Sequence, residues 1–151
     1  GDPSPKPCTQ AEYDKLRQQR MDYADAEKVY RAFFDEDVKL LKSGGLATPE
    51  VRLLLAGPMV ASYQKETQSG HDSGVTVEGD VHLAYVRPSA SPPYAGSEIA
   101  LDTCVDGSSA RSFTNGVFSK TLPILKGQAY LTRVDGSFKV WWTYAKEAAS
   151  C

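Results

Sequence analysis

The sequence predicts an α+β domain in which N-terminal helices pack on one face of a curved antiparallel sheet. Apolar residues recur at steps of three and four as far as Tyr63, whereas from Val75 onward they alternate with a period of two. Helical and strand segments do not alternate along the chain, and this segregation is typical of α+β folds. Long strands with internal glycines such as Gly79 favour a sheet that curves around the helices.

The first helix is predicted to begin at Thr9, because Thr9-Gln10-Ala11-Glu12 has the form of a capping box. Its apolar residues form one stripe, which consists of Tyr23, Ala26, Tyr30, Phe33, Phe34 and Leu41. The opposite face carries mixed charge and is expected to be solvated. Gly44-Gly45 ends the helix, because glycine adopts the left-handed conformation without strain. The stripe is thin between residues 16 and 23, where a break in the helix is the alternative.

A second helix is predicted to start at Thr48-Pro49, with threonine as the N-cap and proline in the first turn. Gly57-Pro58 is expected to interrupt it, because proline donates no backbone hydrogen bond and clashes with the preceding turn. A last helical piece runs through Tyr63. Residues 68–74 are rich in Ser, Gly, His and Asp, so we expect a loop there.

The second half of the chain is predicted to form strands over residues 75–86, 98–105, 127–134 and 138–144. Gly79 indicates a bulge or bend in the first of them. Residues 107–109 are predicted to turn the chain so that residues 110–114 pair back. Asp135-Gly136 is the strongest hairpin signal, and it joins the last two strands.

Length and charge bound the class of protein. The chain has 151 residues, with 17 Lys+Arg against 19 Asp+Glu, and its length suits one domain. This near-neutral balance argues against a nucleic-acid partner, because phosphate recognition needs clustered positive charge. No apolar run approaches the roughly 18 residues of a transmembrane helix. Residues 1–8, rich in proline, are predicted to be a flexible segment ahead of a single domain over residues 9–151.

The three cysteines indicate in which cellular compartment the protein is expected to occur. A Cys104–Cys151 disulfide would tie down the C-terminus by closing a loop of roughly 46 residues, which is worth about 3–4 kcal/mol. It would also indicate an oxidising, extracytoplasmic compartment. The alternative is three free thiols in a reducing cytosol. Cys8 is expected to be a free thiol or a further disulfide partner rather than a lipid acceptor, because Lys6 and Pro7 precede it.

No motif for metal binding, cofactor binding or catalysis is visible. The cysteines form no Cys-x-x-Cys pair, and neither histidine lies near one of them in sequence. Asp102 and Asp106 would lie about 13 Å apart on an extended strand, too far to share one ion. They are expected on the outer face of the sheet, and His82 also alternates away from the apolar residues. We therefore predict no metal site, no cofactor and no catalytic residues.

The candidate binding residues are mostly aromatic. Tyr85, Trp142 and Tyr144 are predicted on the inner face of the sheet, where they either line a pocket or fill the core. Arg133 on a neighbouring strand is a candidate polar anchor. Trp141 is predicted on the opposite face, where an exposed tryptophan indicates a partner contact or a homodimer interface. Partial burial under a loop is the alternative for Trp141.

Several short segments resemble one branch of a known superfamily. They are Val77-Glu78-Gly79-Asp80-Val81, Asp102-Thr103-Cys104-Val105-Asp106, Asp135-Gly136-Ser137-Phe138-Lys139-Val140 and the terminal Cys151. With the order of elements, they resemble the nuclear transport factor two-like superfamily, in its branch of small secreted or lipid-anchored proteins of actinobacteria and their phages. The resemblance implies a cone-shaped fold over residues 9–151 and a bridge between the strand cysteine and the terminal cysteine. Enzymes of this fold, such as ketosteroid isomerases and dehydratases, place acid–base residues in the mouth of the cone.

Two hypotheses of function follow. The first is a non-enzymatic, extracytoplasmic binding module of the cell envelope that contacts a partner protein. The second is a small-molecule-binding protein, or an isomerase- or dehydratase-like enzyme, with a pocket for a small apolar ligand inside the cone. A ligand-sized cavity with a desolvated Asp, Glu or His at its base would favour the second. The sequence shows neither a signal peptide nor an initiator Met, so we expect a mature or trimmed form that is secreted or anchored.

Overall fold

A computed structural model describes residues 8–151. In this part of the chain three helices precede five strands: α1 Gln10–Ser43, α2 Pro49–Arg52, α3 Pro58–Asp72, β1 Val75–Pro88, β2 Ile99–Thr114, β3 Val117–Thr121, β4 Ile124–Val134 and β5 Ser137–Ala148. All strand pairs are antiparallel, in the order β1-β2-β4-β5, and β3 also pairs with β2. This confirms the predicted α+β fold with N-terminal helices on an antiparallel sheet. The predicted flexible segment lies, apart from Cys8, outside the described residues.

The local signals for the helix ends and the last hairpin are confirmed. The backbone N–H of Glu12 donates to the Thr9 hydroxyl at 3.1 Å, and the Glu12 carboxylate accepts from the Thr9 N–H at 3.0 Å. α1 ends at Gly44, whose φ of 66° is left-handed, and it runs through residues 16–23 without a break. Asp135 and Gly136 have φ values of 52° and 84°, as a type I′ turn requires.

The loop predicted over residues 68–74 is wrong, because α3 continues to Asp72. Two hydrogen bonds hold this polar end in helical form. The Gln68 amide donates to the Asp72 carboxylate at 2.8 Å, and His71 Nδ1 lies 2.8 Å from the carbonyl oxygen of Gly44. The end of α3 is therefore fixed against the end of α1, and these contacts outweigh the weak helix propensity of Ser and Gly.

The turn predicted at residues 107–109 is also wrong, because β2 continues through them, with one extra residue relative to β1 at this point. The first half of β2 pairs with β4 and the second half with β3. The corner Leu122-Pro123 joins these two partners and lies against Gly107. The Gly107 N–H donates to the Pro123 carbonyl at 3.1 Å, and a Cβ on Gly107 would lie 2.6 Å from the Cβ of Leu122. The glycine permits a close approach of the backbone here rather than a turn.

The core lies between the helices and the inner face of the sheet. Its most buried members include Ala26, Val51, Leu101, Ala129, Leu131 and Val140. The pairing register between β1 and β2 shifts twice, between Asp80 and His82 with the extra residue in β2 and between Leu83 and Tyr85 with the extra residue in β1, and that between β4 and β5 shifts once, at Trp141. Such bulges increase the local twist and bend a strand. Each shift also changes which face of the sheet the following side chains occupy.

The predicted disulfide between Cys104 and Cys151 is confirmed, with the two Cα atoms 5.8 Å apart. Cys104 is fully buried in β2, and β4 separates β2 from β5. The chain after β5 therefore folds back across β4 to reach Cys104. Cys8 is a free, exposed thiol. Among the described residues, no helix has the combination of length and apolar character that a membrane span requires.

Candidate functional site

A cavity of about 340 Å³ lies between α1, α3 and the inner face of the sheet. α1 lines it with Tyr30, Phe33, Phe34, Asp37, Val38 and Leu41, and α3 with Met59, Tyr63 and Glu66. The sheet side includes Val81, Thr103, Val105, Leu125 and Thr143, and the Leu122-Pro123 corner lines the wall beside Gly107. Volumes of this size are typical of small-molecule sites, which are mostly apolar with a few polar groups.

The spacing of residues on α1 explains why a carboxylate lies in this apolar wall. Tyr30, Phe33, Phe34, Asp37 and Leu41 follow steps of three and four, so they share one face of the helix. Asp37 thus lies in the middle of the apolar stripe rather than on the charged face. Sequence reasoning missed it, and the signal that could have found it is an acidic residue in register with buried aromatic residues.

Asp37 is hydrogen-bonded to α3. The Tyr63 hydroxyl donates to Asp37 Oδ1 at 2.6 Å, and Tyr63 itself is only 3% exposed. Met59, Tyr63 and Glu66 occupy one face of α3 for the same reason of spacing, so that face presents a phenol and a second carboxylate to the cavity. Across residues 8–151, Tyr63 is the only hydrogen-bond partner of the Asp37 carboxylate.

Burial changes the acidity of these groups. It raises the pKa of Asp37 to about 6, although the hydrogen bond from Tyr63 lowers that pKa and the charge of Glu66 raises it further. Burial also raises the pKa of Glu66 and brings that of Tyr30 to about 12. The pKa of Tyr63 is raised by burial and then by the negative charge of Asp37. Asp37 can therefore gain or lose a proton close to neutral pH, as acid–base groups and polar anchors of ligand sites do.

Three aromatic rings form one wall of the cavity. The ring centroids of Tyr30 and Phe33 are 6.1 Å apart, and those of Phe33 and Tyr63 are 5.3 Å apart in an edge-to-face arrangement. Edge-to-face pairs of this kind are favourable. The wall beside Asp37 is therefore aromatic.

Of the residues predicted to bind, Tyr144 lines the cavity, where it is 57% exposed. The predicted inner-face position of Tyr85 is wrong. The bulge before Tyr85 changes its face, so that it lies opposite Cys104 with the Arg87 guanidinium 4.0 Å from the centre of its ring. The sequence pattern of strict alternation could not show this shift. A binding role for Tyr85 stays a prediction.

The two tryptophans lie outside the cavity wall. Leu131 pairs with Val140 and Tyr130 with Trp142, so Trp141 is the extra residue of a bulge. Trp142 is partly buried at the edge of the core. The indole of Trp141 packs against Gly57 and Gly96. A Cβ added at Gly57 would lie 2.4 Å from the indole, and one added at Gly96 would lie 2.7 Å from it. Trp141 is thus half-buried against two loops, which agrees with the alternative of partial burial under a loop rather than with an exposed tryptophan, and a homodimer through this face stays a prediction.

Arg133 also lies outside the cavity wall. Its guanidinium forms an ion pair with Asp22 on α1, lies 3.6 Å from the Glu98 carboxylate, and lies 4.4 Å from the centre of the Phe138 ring. These contacts fix α1 to the sheet. A polar-anchor role for Arg133 stays a prediction.

Comparison with known proteins supports the fold. No protein family model and no curated protein sequence matches this chain. The chain is similar in fold to the intermembrane space region of the chloroplast protein ARC6, known from a crystal structure, with a TM-score of 0.53 and 10% sequence identity. The match covers 82% of this chain and 95% of that chain. At this identity the likeness shows the fold alone.

Proposed function

We propose that this protein binds a small, largely apolar molecule in the cavity between α1, α3 and the sheet, with Asp37 and Tyr63 as its polar anchor. The observation that carries the proposal is a desolvated carboxyl group in the wall of a ligand-sized apolar cavity. A carboxylate that is partly withdrawn from water beside an apolar wall costs free energy, because burial disfavours the charged form. This feature supports the pocket hypothesis over that of a protein-interaction module.

The cavity is tested with the neutral fluorescent dye N-phenyl-1-naphthylamine, whose emission rises in apolar sites. We expect saturable binding by the wild type with one site per chain. Val105→Trp, which fills the cavity from β2, should abolish it. The matched control is Val117→Trp, because Val117 on β3 is 69% exposed and does not line the cavity.

Circular dichroism and thermal unfolding establish that both variants are folded. Equal dye binding by Val105→Trp and Val117→Trp would mean that the dye lies elsewhere, and the proposal would then be wrong. Loss of binding in the control alone would point to the exposed hairpin of β2 and β3 instead.

Acid–base catalysis is a second candidate, favoured by the pKa of about 6 at Asp37. A group with this pKa can accept and return a proton at neutral pH, and the hydrogen bond from the Tyr63 hydroxyl holds its carboxylate in place. The test is exchange of the α-hydrogens of cyclohexanone for deuterium in D2O. If the protein is a catalyst, it should accelerate this exchange, and Asp37→Asn should abolish the acceleration. If it only binds ligands, the exchange rate should be the same in the presence and absence of the protein.

An extracytoplasmic location, secreted or at the cell envelope, belongs to the same proposal. The disulfide supports it, because structural disulfides persist mainly in oxidising compartments. The resemblance to secreted and lipid-anchored proteins agrees with it, as does the intermembrane space location of the ARC6 region that is similar in fold. Alkylation of protein taken directly from its native host, without reductant, should modify Cys8 and leave the other two cysteines unmodified.

A further inference from the structure

The charge of the cavity wall is one-sided. Asp37 and Glu66 both line the cavity, whereas the part of the chain that the structure describes places no Lys, Arg or His in its wall. Neither carboxylate takes part in an ion pair with another described residue. The two groups also act on each other, since the charge of Glu66 disfavours ionisation of Asp37. A positive group placed between them would remove this repulsion.

The hydrogen-bonding groups of the cavity wall also favour a positively charged ligand. The single proton of the Tyr63 hydroxyl is donated to Asp37, and the Thr143 hydroxyl lies 4.0 Å from the sulfur of Met59. The Gln128 amide donates to Ser89 and Asp102. The charged groups left for a ligand are carboxylates, whose oxygens accept hydrogen bonds. A ligand that donates hydrogen bonds therefore fits this wall better than one that accepts them.

The aromatic wall suits a cation as well. Tyr30, Phe33 and Tyr63 form a contiguous cluster beside Asp37, with ring centroids 5.3 to 6.1 Å apart. Aromatic rings attract cations through their negative faces, and the attraction is stronger in a site that excludes water. Two carboxylates alone would also attract a metal ion, but the remaining wall consists of rings and aliphatic side chains, which match an organic body.

We infer that the cavity selects small apolar molecules that carry one ammonium group, recognised by Asp37 and Glu66 against the rings of Tyr30, Phe33 and Tyr63. This inference rests on the proposed function and specifies its class of ligand. The apolar body of the ligand occupies the side of the cavity near the Leu122-Pro123 corner, and the ammonium group lies at the carboxylate end.

The test compares three probes that share a phenylpropyl body and differ in charge: 3-phenylpropylammonium, 3-phenylpropanol and 3-phenylpropionate. Their affinities are measured by displacement of N-phenyl-1-naphthylamine and by calorimetry at pH 7.5. We expect the ammonium to bind at least tenfold more tightly than the alcohol, and the propionate to bind most weakly. Hydrogen bonds to charged groups correspond to a roughly tenfold to hundredfold effect on affinity.

Variants assign the preference to the two carboxylates. Asp37→Asn and Glu66→Gln should each weaken ammonium binding about tenfold and leave the affinity of the alcohol within about threefold. Asp35→Asn is the matched control, because Asp35 lies on the exposed face of α1 and does not line the cavity. The Glu66 side chain is more exposed to solvent than that of Asp37, so Glu66→Gln is an independent test that perturbs the packing of the helices less.

The outcomes separate the two proposals. The inference would be overturned if the alcohol or the propionate bound as tightly as the ammonium and Val105→Trp abolished this binding. The protein would then have a cavity that binds neutral or anionic ligands. Ammonium binding that both carboxylate variants leave unchanged would overturn it too. Failure of the dye and all three probes to bind in the cavity would overturn the proposed function, and the inference with it.

Discussion

Replacing Asp37 with asparagine should stabilise the protein at neutral pH. The folded state raises the pKa of this carboxyl from 3.8 to about 6, mainly through burial, so the folded protein binds a proton more tightly than the unfolded chain. Its contribution to stability is complete below about pH 4 and is lost as the pH rises through about 6. At about 1.4 kcal/mol per pKa unit, the loss amounts to about 3 kcal/mol.

Asparagine has nearly the same shape and still accepts the hydrogen bond from Tyr63, but it carries no charge at any pH. Urea unfolding of the oxidised protein from pH 4 to pH 8 measures the effect. The free energy of unfolding of Asp37→Asn minus that of the wild type should rise by about 2.5 kcal/mol across this range, mostly between pH 4 and 6. Asp35→Asn should show no such rise, because Asp35 is exposed.

A difference between Asp37→Asn and wild type that does not change with pH would refute this reasoning. It would mean that water solvates the carboxylate as well in the folded state as in the unfolded chain. A difference that falls with rising pH would mean that a positive group faces Asp37.

Two further predictions concern stability. Replacing Cys104 and Cys151 together with alanine should lower the free energy of unfolding by about 4 kcal/mol, because the cysteines are 47 residues apart in sequence, whereas Cys8→Ala should have no measurable effect in urea unfolding. Gly57→Ala should lower it by about 1–3 kcal/mol and change the tryptophan emission, because its backbone is left-handed and a Cβ would overlap an indole ring. The matched control is Gly70→Ala in α3, where the space around the glycine is open, and it should raise the free energy of unfolding by about 0.5–1 kcal/mol. Equal effects of the two glycine variants would contradict the packing of Gly57 against Trp141.

The sequence could predict the elements whose causes are local. The capping box at Thr9, the left-handed end at Gly44 and the type I′ turn at Asp135-Gly136 each depend on a few adjacent residues, and all three occur. The course of β2 through Gly107 depends on a corner about fifteen residues later in the chain, which no local pattern reveals. A turn was wrongly predicted at residues 107–109 because the contact that decides the course of β2 is between residues distant in sequence.

The site was harder to predict than the fold. Bulges in β1 and β5 move Tyr85 and Trp141 away from the positions that strict alternation gives, and a bulge leaves little trace in a single sequence. Asp37 differs, because its register with Tyr30 and Phe33 is visible in the sequence. Its hydrogen bond to Tyr63 joins residues 26 positions apart and could be known only from the packing of α3 against α1.

Intermolecular nuclear Overhauser effects between 3-phenylpropylammonium and the isotope-labelled protein locate the ligand directly. Binding in the cavity predicts contacts from the phenyl protons to the methyl groups of Val105 and Leu125, and from the methylene next to the nitrogen to the rings of Tyr30 and Tyr63. Contacts confined to an exposed apolar surface, such as Val117 on β3, would contradict a ligand site between the helices and the sheet.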